Sequence, residues 1–352
     1  MSEPAPFTPI AEVGEFGLIE RLRQSLGSAA EADRLAVPIG DDAAVVDLGN
    51  GRSQVVTTDL FVEGVHFDRT FAPLRALGWK CIAASVSDVC AMNAMPTLAT
   101  VALGVPNNLS VEGAEALYTG IAQACERYGL AVAGGDITAS ARLVVSVTVL
   151  GEAEAGQIVT RAGAQPGEVL CLTGDVGASA AGLQLLLKGK DALAQSNAGG
   201  DGENAPALEL SDFPVPIERH LMPQARLDRV RLWREVGFQP TSLIDVSDGV
   251  ASEAHHLSRA SIVGLAVEAG LMPVHLQTMA AAEILKQRAD TWALYGGEDY
   301  ELLFTAPRAA LAVLPDDTYA IIGEVVDPEE GVALRLSDGT AIPMEADGFA
   351  HF

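Results

Sequence analysis

Six aspartates stand at the ends of apolar runs: Asp42, Asp59, Asp88, Asp136, Asp245 and Asp248. Taken singly, each has a simple interpretation as a helix cap or a turn former. Taken together they favour a divalent metal, because a buried carboxylate needs a cation or hydrogen bonds, and basic residues are scarce near them in the sequence. Oxygen ligands without histidine or cysteine suit Mg²⁺ or Ca²⁺, and Mg²⁺ in turn suggests phosphates.

Three hydroxyl residues accompany these carboxylates. Thr57 and Thr58 come just before one of the aspartates, and Ser247 lies between two others. By default they are strand or cap residues, but their oxygens could also ligate a metal ion or a phosphate. The sequence has no GxxxxGK[ST] phosphate loop, no GxGxxG after a strand and no GxSxG nucleophile motif. The pattern therefore indicates metal-assisted phosphate chemistry rather than a P-loop or a covalent nucleophile.

Segments of alternating helical and strand character predict how these residues are positioned. EFGLIERLRQSL has helical spacing, QVVTTDLFVEGVHF has the β-branched content of a strand, and GWKCIAASVSDVCAMNA is typical of a buried helix. We expect an α/β (α+β) protein with domains at 1–154 and 155–352. Residues 189–214 lack an apolar period and are rich in Gly, Ala, Asn and Asp, which predicts a flexible insertion.

Composition and charge disfavour several classes of function. The 352-residue chain has a formal net charge of −25, which argues against nucleic acid and anionic membrane surfaces as partners. There is no secretory signal and no apolar run of about 18 residues, so we expect a cytoplasmic protein. The four cysteines lie in apolar stretches without CxxC spacing, which is typical of reduced core thiols rather than zinc ligands or disulfides.

Nine short blocks spread over nearly the whole chain form a joint signature: GEFGLIERL, GDDAAV, TTDLFVEGVHF, SVSDVCAMNAMP, AVAGGDIT, TRAGAQPGE, DVSDGV, GGEDYELLF and GFAHF. In this order they resemble the thiamine-monophosphate kinase family, within the superfamily of aminoimidazole ribonucleotide synthetase, selenophosphate synthetase and a hydrogenase-maturation protein. The resemblance implies a two-domain subunit like that of aminoimidazole ribonucleotide synthetase and a homodimer formed through the N-terminal domain. It also implies ATP-dependent phosphorylation of thiamine monophosphate to thiamine pyrophosphate.

The resemblance further implies roles for individual residues. Several magnesium ions would be held by Asp42, Thr57, Thr58, Asp59, Asp88, Asp136, Asp245 and Asp248. Among these, the metal-holding residues that serve catalysis would be Asp88, Asp136 and Asp248, while Asp41 would shape its turn. ATP, the co-substrate, would contact Tyr118, Gly135, Asp136, Arg161 and Ser247. Thiamine monophosphate would contact His66, Glu298 and Phe349.

Without the resemblance, several of these residues have ordinary interpretations. Arg161 would be a solvated arginine, His66 a strand-end histidine, Glu298 a turn residue and Phe349 an anchor of the tail. An aromatic face and a carboxylate nonetheless suit a substrate that carries a thiazolium cation and an aminopyrimidine. The implied reaction is direct in-line phosphoryl transfer, with the aspartates holding metal rather than moving protons.

The chain departs from the family pattern in places, and alternatives stay open. Ile137 replaces a usual threonine, HLMPQARL lacks a second proline, and the insertion at 189–214 is long. One alternative is another superfamily member with a different acceptor, such as a purine-pathway amide. Selenophosphate synthesis is disfavoured because it needs a reactive cysteine near the N-terminus, whereas the first here is Cys81 in an apolar helix. The other alternative is a non-enzymatic acidic metal-binding protein.

Overall fold

The protein is described by a computed structural model over residues 8–197 and 210–346. Two mixed β-sheets flanked by helices form its framework, which confirms the expected α/β class. In the described residues, the first sheet has the strand order β1-β2-β3-β6-β4-β5. Its strands are β1 (Leu35–Val37), β2 (Ala44–Gly49), β3 (Arg52–Val62), β4 (Met95–Val105), β5 (Ala131–Ala139) and β6 (Val144–Glu154).

The second sheet follows the first along the chain. Its strands are β7 (Val169–Leu172), β8 (Ser242–Asp245), β9 (Gly264–Glu268), β10 (Leu302–Ala306), β11 (Ala320–Val326), β12 (Val332–Arg335) and β13 (Ala341–Pro343). They pair in the order β13-β12-β9-β11-β7-β10-β8. Strands β7, β8 and β10 are buried along their whole length, and apart from Ser242, Asp245 and Thr305 their residues are apolar.

The described residues also form nine α-helices: α1 (Gly14–Leu26), α2 (Leu74–Ala91), α3 (Val111–Tyr128), α4 (Ala178–Asn197), α5 (Pro214–Leu221), α6 (Leu227–Val236), α7 (Val250–Ser261), α8 (Leu276–Leu285) and α9 (Ala289–Tyr295). Helix α4 continues into the segment 189–214, so the start of the predicted insertion is helical, while 198–209 lie outside the described residues. No described helix is long and apolar enough to cross a membrane.

Helix α2 is buried on nearly all sides, because it packs on the first sheet, on α3 and on β8. Its crossing with α3 depends on two glycines. A Cβ on Gly78 would lie 2.0 Å from the carbonyl oxygen of Leu117, and a Cβ on Gly120 would lie 1.8 Å from that of Arg75. Any larger residue at either position would push the helices apart, so this close contact fixes α2 within the core.

One buried cluster joins the two sheets. It contains Val147 of β6, Val86 of α2, Leu243 of β8 and Phe304 of β10. Because this core is continuous, the division into domains at 154/155 stays a prediction. The four cysteines are buried and unpaired, as their apolar surroundings predict.

Candidate active site

Two hydroxyl groups connect β3 to the C-terminal half of α2. The Thr57 hydroxyl donates a hydrogen bond to the Asp88 carboxylate over 2.5 Å, and the Ser85 hydroxyl donates to Asp59 over the same distance of 2.5 Å. Side chains alternate along a strand, so Thr57 and Asp59 share the face of β3 that meets α2. Two of the predicted metal carboxylates are thereby brought to one helix.

Two further carboxylates reach the same place from other segments. The Ser87 hydroxyl of α2 donates to Asp245 at the end of β8 over 2.6 Å. Asp42 forms an ion pair with Arg161, with 2.6 Å between Oδ1 and Nη2. The Arg161 backbone N–H donates to Asp41 over 3.2 Å, so the paired aspartates anchor the loop that carries Arg161. Arg161, which is far from these carboxylates in the sequence, therefore lies beside them in the structure.

The carboxylates of this group disfavour one another's ionisation. Desolvation raises the pKa of Asp88 well above its usual range, and the charges of Asp59 and Asp245 raise it further. Desolvation and the charge of Asp42 raise the pKa of Asp245 to about 8. In the same way, desolvation and the Asp42 charge raise the pKa of Asp41 to about 6. Such mutual repulsion marks a site that a cation would stabilise.

The donor atoms suit a hard cation such as Mg²⁺. Asp42 Oδ2 is a buried oxygen without a hydrogen-bond partner, next to an Oδ1 that Arg161 satisfies. Within 8–197 and 210–346, no three His, Cys, Asp or Glu side chains already converge as metal ligands do, and Asp59, Asp88 and Asp245 each accept a hydroxyl hydrogen bond. Carboxylate oxygens of this kind fit Mg²⁺, and binding of the ion would replace the hydrogen bonds that these carboxylates accept from serine and threonine.

The turn between β8 and α7 lies beside this group. The Asp248 backbone N–H donates to Glu253 over 2.8 Å, and the Ser247 hydroxyl lies 3.5 Å from the same Glu253 oxygen. Glu253 is 2% exposed, and desolvation followed by the Asp248 charge raises its pKa. Glu253 thus fixes the turn that carries two of the predicted site residues.

The repulsion predicts an unusual pH dependence of stability in protein stripped of metal. Aspartates with folded-state pKa values of about 6 and about 8 hold protons that an unfolded aspartate, with a pKa of about 3.9, releases. The free energy of unfolding should therefore fall as the pH rises from about 4 to about 8, and Mg²⁺ should reverse the loss at the upper end. Urea unfolding in EDTA and in Mg²⁺ measures this. A midpoint in EDTA that rises between pH 6 and 8 contradicts it.

Four other predicted residues are not brought into the group. The Thr58 hydroxyl faces the other side of the sheet, 3.0 Å from that of Thr148. Gly135 and Asp136 lie on the exposed edge strand β5, three strand positions or about 14 Å from β3. Strand β5 runs through both residues, and a Cβ on Gly135 would lie 1.8 Å from the Val101 carbonyl oxygen. Tyr118 is a half-exposed residue of α3.

A second polar cluster surrounds Glu298. Its Oε1 lies 2.7 Å from Lys80 Nζ, and its Oε2 lies 3.3 Å from His220 Nδ1. Desolvation acts to raise the pKa of Glu298, but the Lys80 ammonium outweighs it and, with His220, brings the pKa down to about 2. His66, the other described substrate candidate, accepts a hydrogen bond from the Val62 N–H over 3.0 Å. Phe349 lies outside the described residues.

Known proteins resemble this chain over its whole length. The family model for the AIR synthase related protein, N-terminal domain, matches residues 40–153. The thiamine-monophosphate kinase of Aquifex aeolicus is 35% identical, with 97% of this chain and 99% of that protein covered, and that of Bacillus subtilis is 32% identical, with 96% and 99% covered. The chain belongs to the thiamine-monophosphate kinase family. A solved structure described as AaThiL complexed with AMPPCP and TMP has a TM-score of 0.81 at 34% identity, covering 99% of this chain and 100% of that one.

Several polar residues of this thiamine-monophosphate kinase family member were missed by the sequence reasoning. They are Lys80, Ser85, Ser87, His220 and Glu253. One signal was available for Lys80, which is a lone lysine in the apolar run GWKCIAAS and so needs a buried partner. Nothing in the sequence indicates which partner, because Glu298 lies more than two hundred positions further along the chain.

The two threonines before Asp59 should differ sharply on substitution. Thr57→Val removes the hydroxyl that contacts Asp88, whereas Thr58→Val removes one that faces Thr148. We expect Thr57→Val to lower kcat at least about tenfold, the usual scale for groups that orient metal ligands, and Thr58→Val to change it less than about threefold. Steady-state kinetics of both variants at saturating Mg²⁺ provide the comparison. Equal losses of kcat in the two variants would show that the direction in which the threonine side chain points does not matter for turnover.

Proposed function

We propose that this protein transfers the γ-phosphoryl group of ATP to thiamine monophosphate and so forms thiamine pyrophosphate. The main support for this proposal is the group of carboxylates Asp42, Asp59, Asp88 and Asp245, which come from four segments. Hydroxyl contacts hold Asp59, Asp88 and Asp245 together at α2, and the charge of Asp42 acts on Asp88 and Asp245. Such a group is suited to cations that accompany phosphates. The relatives named thiamine-monophosphate kinase, and the related structure described with AMPPCP and TMP, support the choice of substrates.

Magnesium is the ion that this site would hold. Asp42, Asp59, Asp88 and Asp245 would supply carboxylate oxygens, Thr57 would supply its hydroxyl, and Asp248 would extend the set through the β8–α7 turn. When bound, magnesium would neutralise charge on the phosphates that meet in the site. The Thr58 side chain faces away, so any contribution from Thr58 would come from its backbone carbonyl.

The reaction needs positioning more than proton transfer. The attacking group is a terminal phosphate oxygen of thiamine monophosphate, which is largely ionised at neutral pH because a phosphate monoester has a second pKa of about 6. No strong general base is required, and none is assigned. The chain's role is to hold the acceptor phosphate in line with the γ-phosphorus of ATP, which is the main contribution of an enzyme to phosphoryl transfer.

Arg161 and Ser247 would place the ATP. Arg161 is held by Asp41 and Asp42, which orient its guanidinium beside the carboxylate group. A planar guanidinium in a fixed position is suited to a phosphate oxygen. Ser247 lies next to Asp248 in the turn fixed by Glu253.

A homodimer would give a role to Gly135, Asp136 and Tyr118, three predicted residues that lie outside the carboxylate group. Strand β5 is a sheet edge with every residue exposed, and Ile137 on it is 67% exposed. Leu60 and Leu98 are also exposed, although they lie within the first sheet. An open edge with exposed apolar residues favours pairing with a second copy. We propose that Gly135, Asp136 and Tyr118 contact ATP within such a dimer. Sedimentation equilibrium would measure the mass of the protein in solution and so test for the dimer.

The deciding experiment is mass spectrometry of the products formed from ATP and thiamine monophosphate with and without Mg²⁺. Magnesium-dependent thiamine pyrophosphate is the expected result. Protein that binds ATP without forming this product would favour a different acceptor. Absence of any nucleotide effect on the melting temperature would favour a non-enzymatic metal-binding protein. A cytoplasmic location is proposed with this function, because ATP is the phosphoryl donor.

A further inference from the structure

Lys80 is a charged residue inside a buried helix, and its partner is Glu298. Lys80 is 3% exposed, and its ammonium lies 2.7 Å from Glu298 Oε1. A buried ammonium is tolerated only with a close counter-charge. This ion pair joins α2, which packs on the first sheet, to the loop before β10 of the second sheet. It is therefore an internal connection rather than a surface contact.

Glu298 is fixed by more than this ion pair. Its second oxygen contacts His220 of α5, and the His220 ring nitrogen lies 3.2 Å from the Ser179 hydroxyl of α4. The Glu298 backbone N–H donates to the Ser247 carbonyl over 2.7 Å. Its backbone has a φ of 64°, in the left-handed region that residues other than glycine rarely adopt. Such a conformation in a non-glycine residue commonly accompanies a functional position.

The ion pair and the carboxylate group lie along the same helix. Lys80 precedes Asp88 by eight residues, which corresponds to about 12 Å along an α-helix. An elongated substrate could therefore place its phosphate at Asp88 and its organic end at Glu298.

We propose that Lys80 is a positioning residue that holds the Glu298 carboxylate in the place where it contacts the heteroaromatic end of the phosphorylated substrate. This inference rests on the proposed function. Lys80 itself does not reach the substrate, because its ammonium is buried behind the carboxylate that it pairs with. Its effect should therefore fall on the affinity for thiamine monophosphate and spare that for ATP. Lys80 contacts only the Glu298 side chain of this site, whereas the proposed ATP contacts Arg161 and Ser247 are held by Asp42 and Glu253.

The test measures kcat and KM for each substrate in the full-length protein. The variants are Lys80→Met, Glu298→Gln and the double variant, and Lys188→Met removes an exposed lysine of α4 as the matched control. We expect Lys80→Met to raise the KM for thiamine monophosphate at least tenfold while the KM for ATP stays within twofold. Because Lys80 acts through Glu298, the double variant should have the same KM as Glu298→Gln alone, and Lys188→Met should match the wild type.

Two results would overturn the proposal. One is a folded Lys80→Met variant with an unchanged KM for thiamine monophosphate. The other is a double variant in which the two effects multiply, since Lys80 would then contact the substrate itself. If Lys80→Met does not fold, Glu298→Gln and the double variant, which leaves neither charge unpaired, decide between these outcomes.

Failure of the proposed function gives a different result, namely a wild-type protein that forms no thiamine pyrophosphate. The same comparison is then made on the dissociation constant for thiamine monophosphate, measured by equilibrium dialysis. A wild-type protein that does not bind this compound overturns the assignment of Lys80 together with the proposed function.

Discussion

Asp88→Asn should reduce turnover at least about a hundredfold while leaving the protein folded. The carboxylate lies at the centre of the acidic group, where the charges of Asp59, Asp245 and Asp42 act on it. A metal ion supplies several kcal/mol of charge stabilisation in phosphoryl transfer, and each 1.4 kcal/mol corresponds to about tenfold in rate. Asparagine keeps the size of the side chain and one oxygen that can accept from Thr57, so the packing around α2 should persist. Initial rates at saturating ATP and Mg²⁺ give the measurement.

Stability separates a lost metal ligand from a damaged fold. Because the substitution removes one of several repelling charges, the melting temperature of Asp88→Asn in EDTA should equal or exceed that of the wild type. The increase in melting temperature that Mg²⁺ produces should become smaller. Asp248→Asn should lose turnover in the same way, while Asp191→Asn on the exposed side of α4 should not. Near-normal turnover in both Asp88→Asn and Asp248→Asn would refute the metal assignment.

The sequence predicted the composition of this group better than its geometry. An aspartate at the end of an apolar run has buried neighbours and therefore needs a polar or charged partner, so the amino-acid pattern alone marks Asp59, Asp88 and Asp245 as unusual. Their convergence depends on α2, whose burial the small-residue pattern SVSDVCAMNA also indicated. The hydroxyls of Thr57, Ser85 and Ser87 complete the group through contacts between distant segments.

Strand order is what the sequence could not supply. Asp136 follows an apolar run just as Asp59 does, but β6 and β4 lie between their strands in the sheet. Alternation along a strand likewise distinguishes Thr57 from Thr58, and only the pairing of β3 with its neighbours shows which of them faces α2. The charged partners of the site residues could not be predicted from the sequence either. The scarcity of basic residues near the carboxylates in sequence did not anticipate Arg161 beside Asp42 or Lys80 beside Glu298.

Glu301→Gln should strongly lower the free energy of unfolding, although Glu301 lies outside the carboxylate group. Glu301 is 0% exposed, and its Oε1 lies 2.8 Å from Arg219 and 3.4 Å from Arg226, while the Thr173 hydroxyl donates to its Oε2 over 2.7 Å. Arg219 also lies 3.8 Å from Asp175, and Arg226 lies 3.2 Å from Asp228, but Glu301 is the fully buried partner of both arginines. Removing the acid from a buried ion pair typically costs about 3–5 kcal/mol of the free energy of unfolding. The midpoint of urea unfolding, followed by tryptophan fluorescence, would measure the loss.

The matched control is Glu324→Gln, which removes an exposed partner of Arg335. Water already screens that pair, so its loss should cost less than about 1 kcal/mol. If both variants lose equally little free energy of unfolding, the arginines have found other partners. The contacts of Glu301 with Arg219 and Arg226 would then not be what stabilises the packing of these helices against β10. A double variant, Glu301→Gln with Arg219→Met, should be more stable than Glu301→Gln alone. The cost arises from the guanidinium left without its carboxylate, and the second substitution removes that guanidinium.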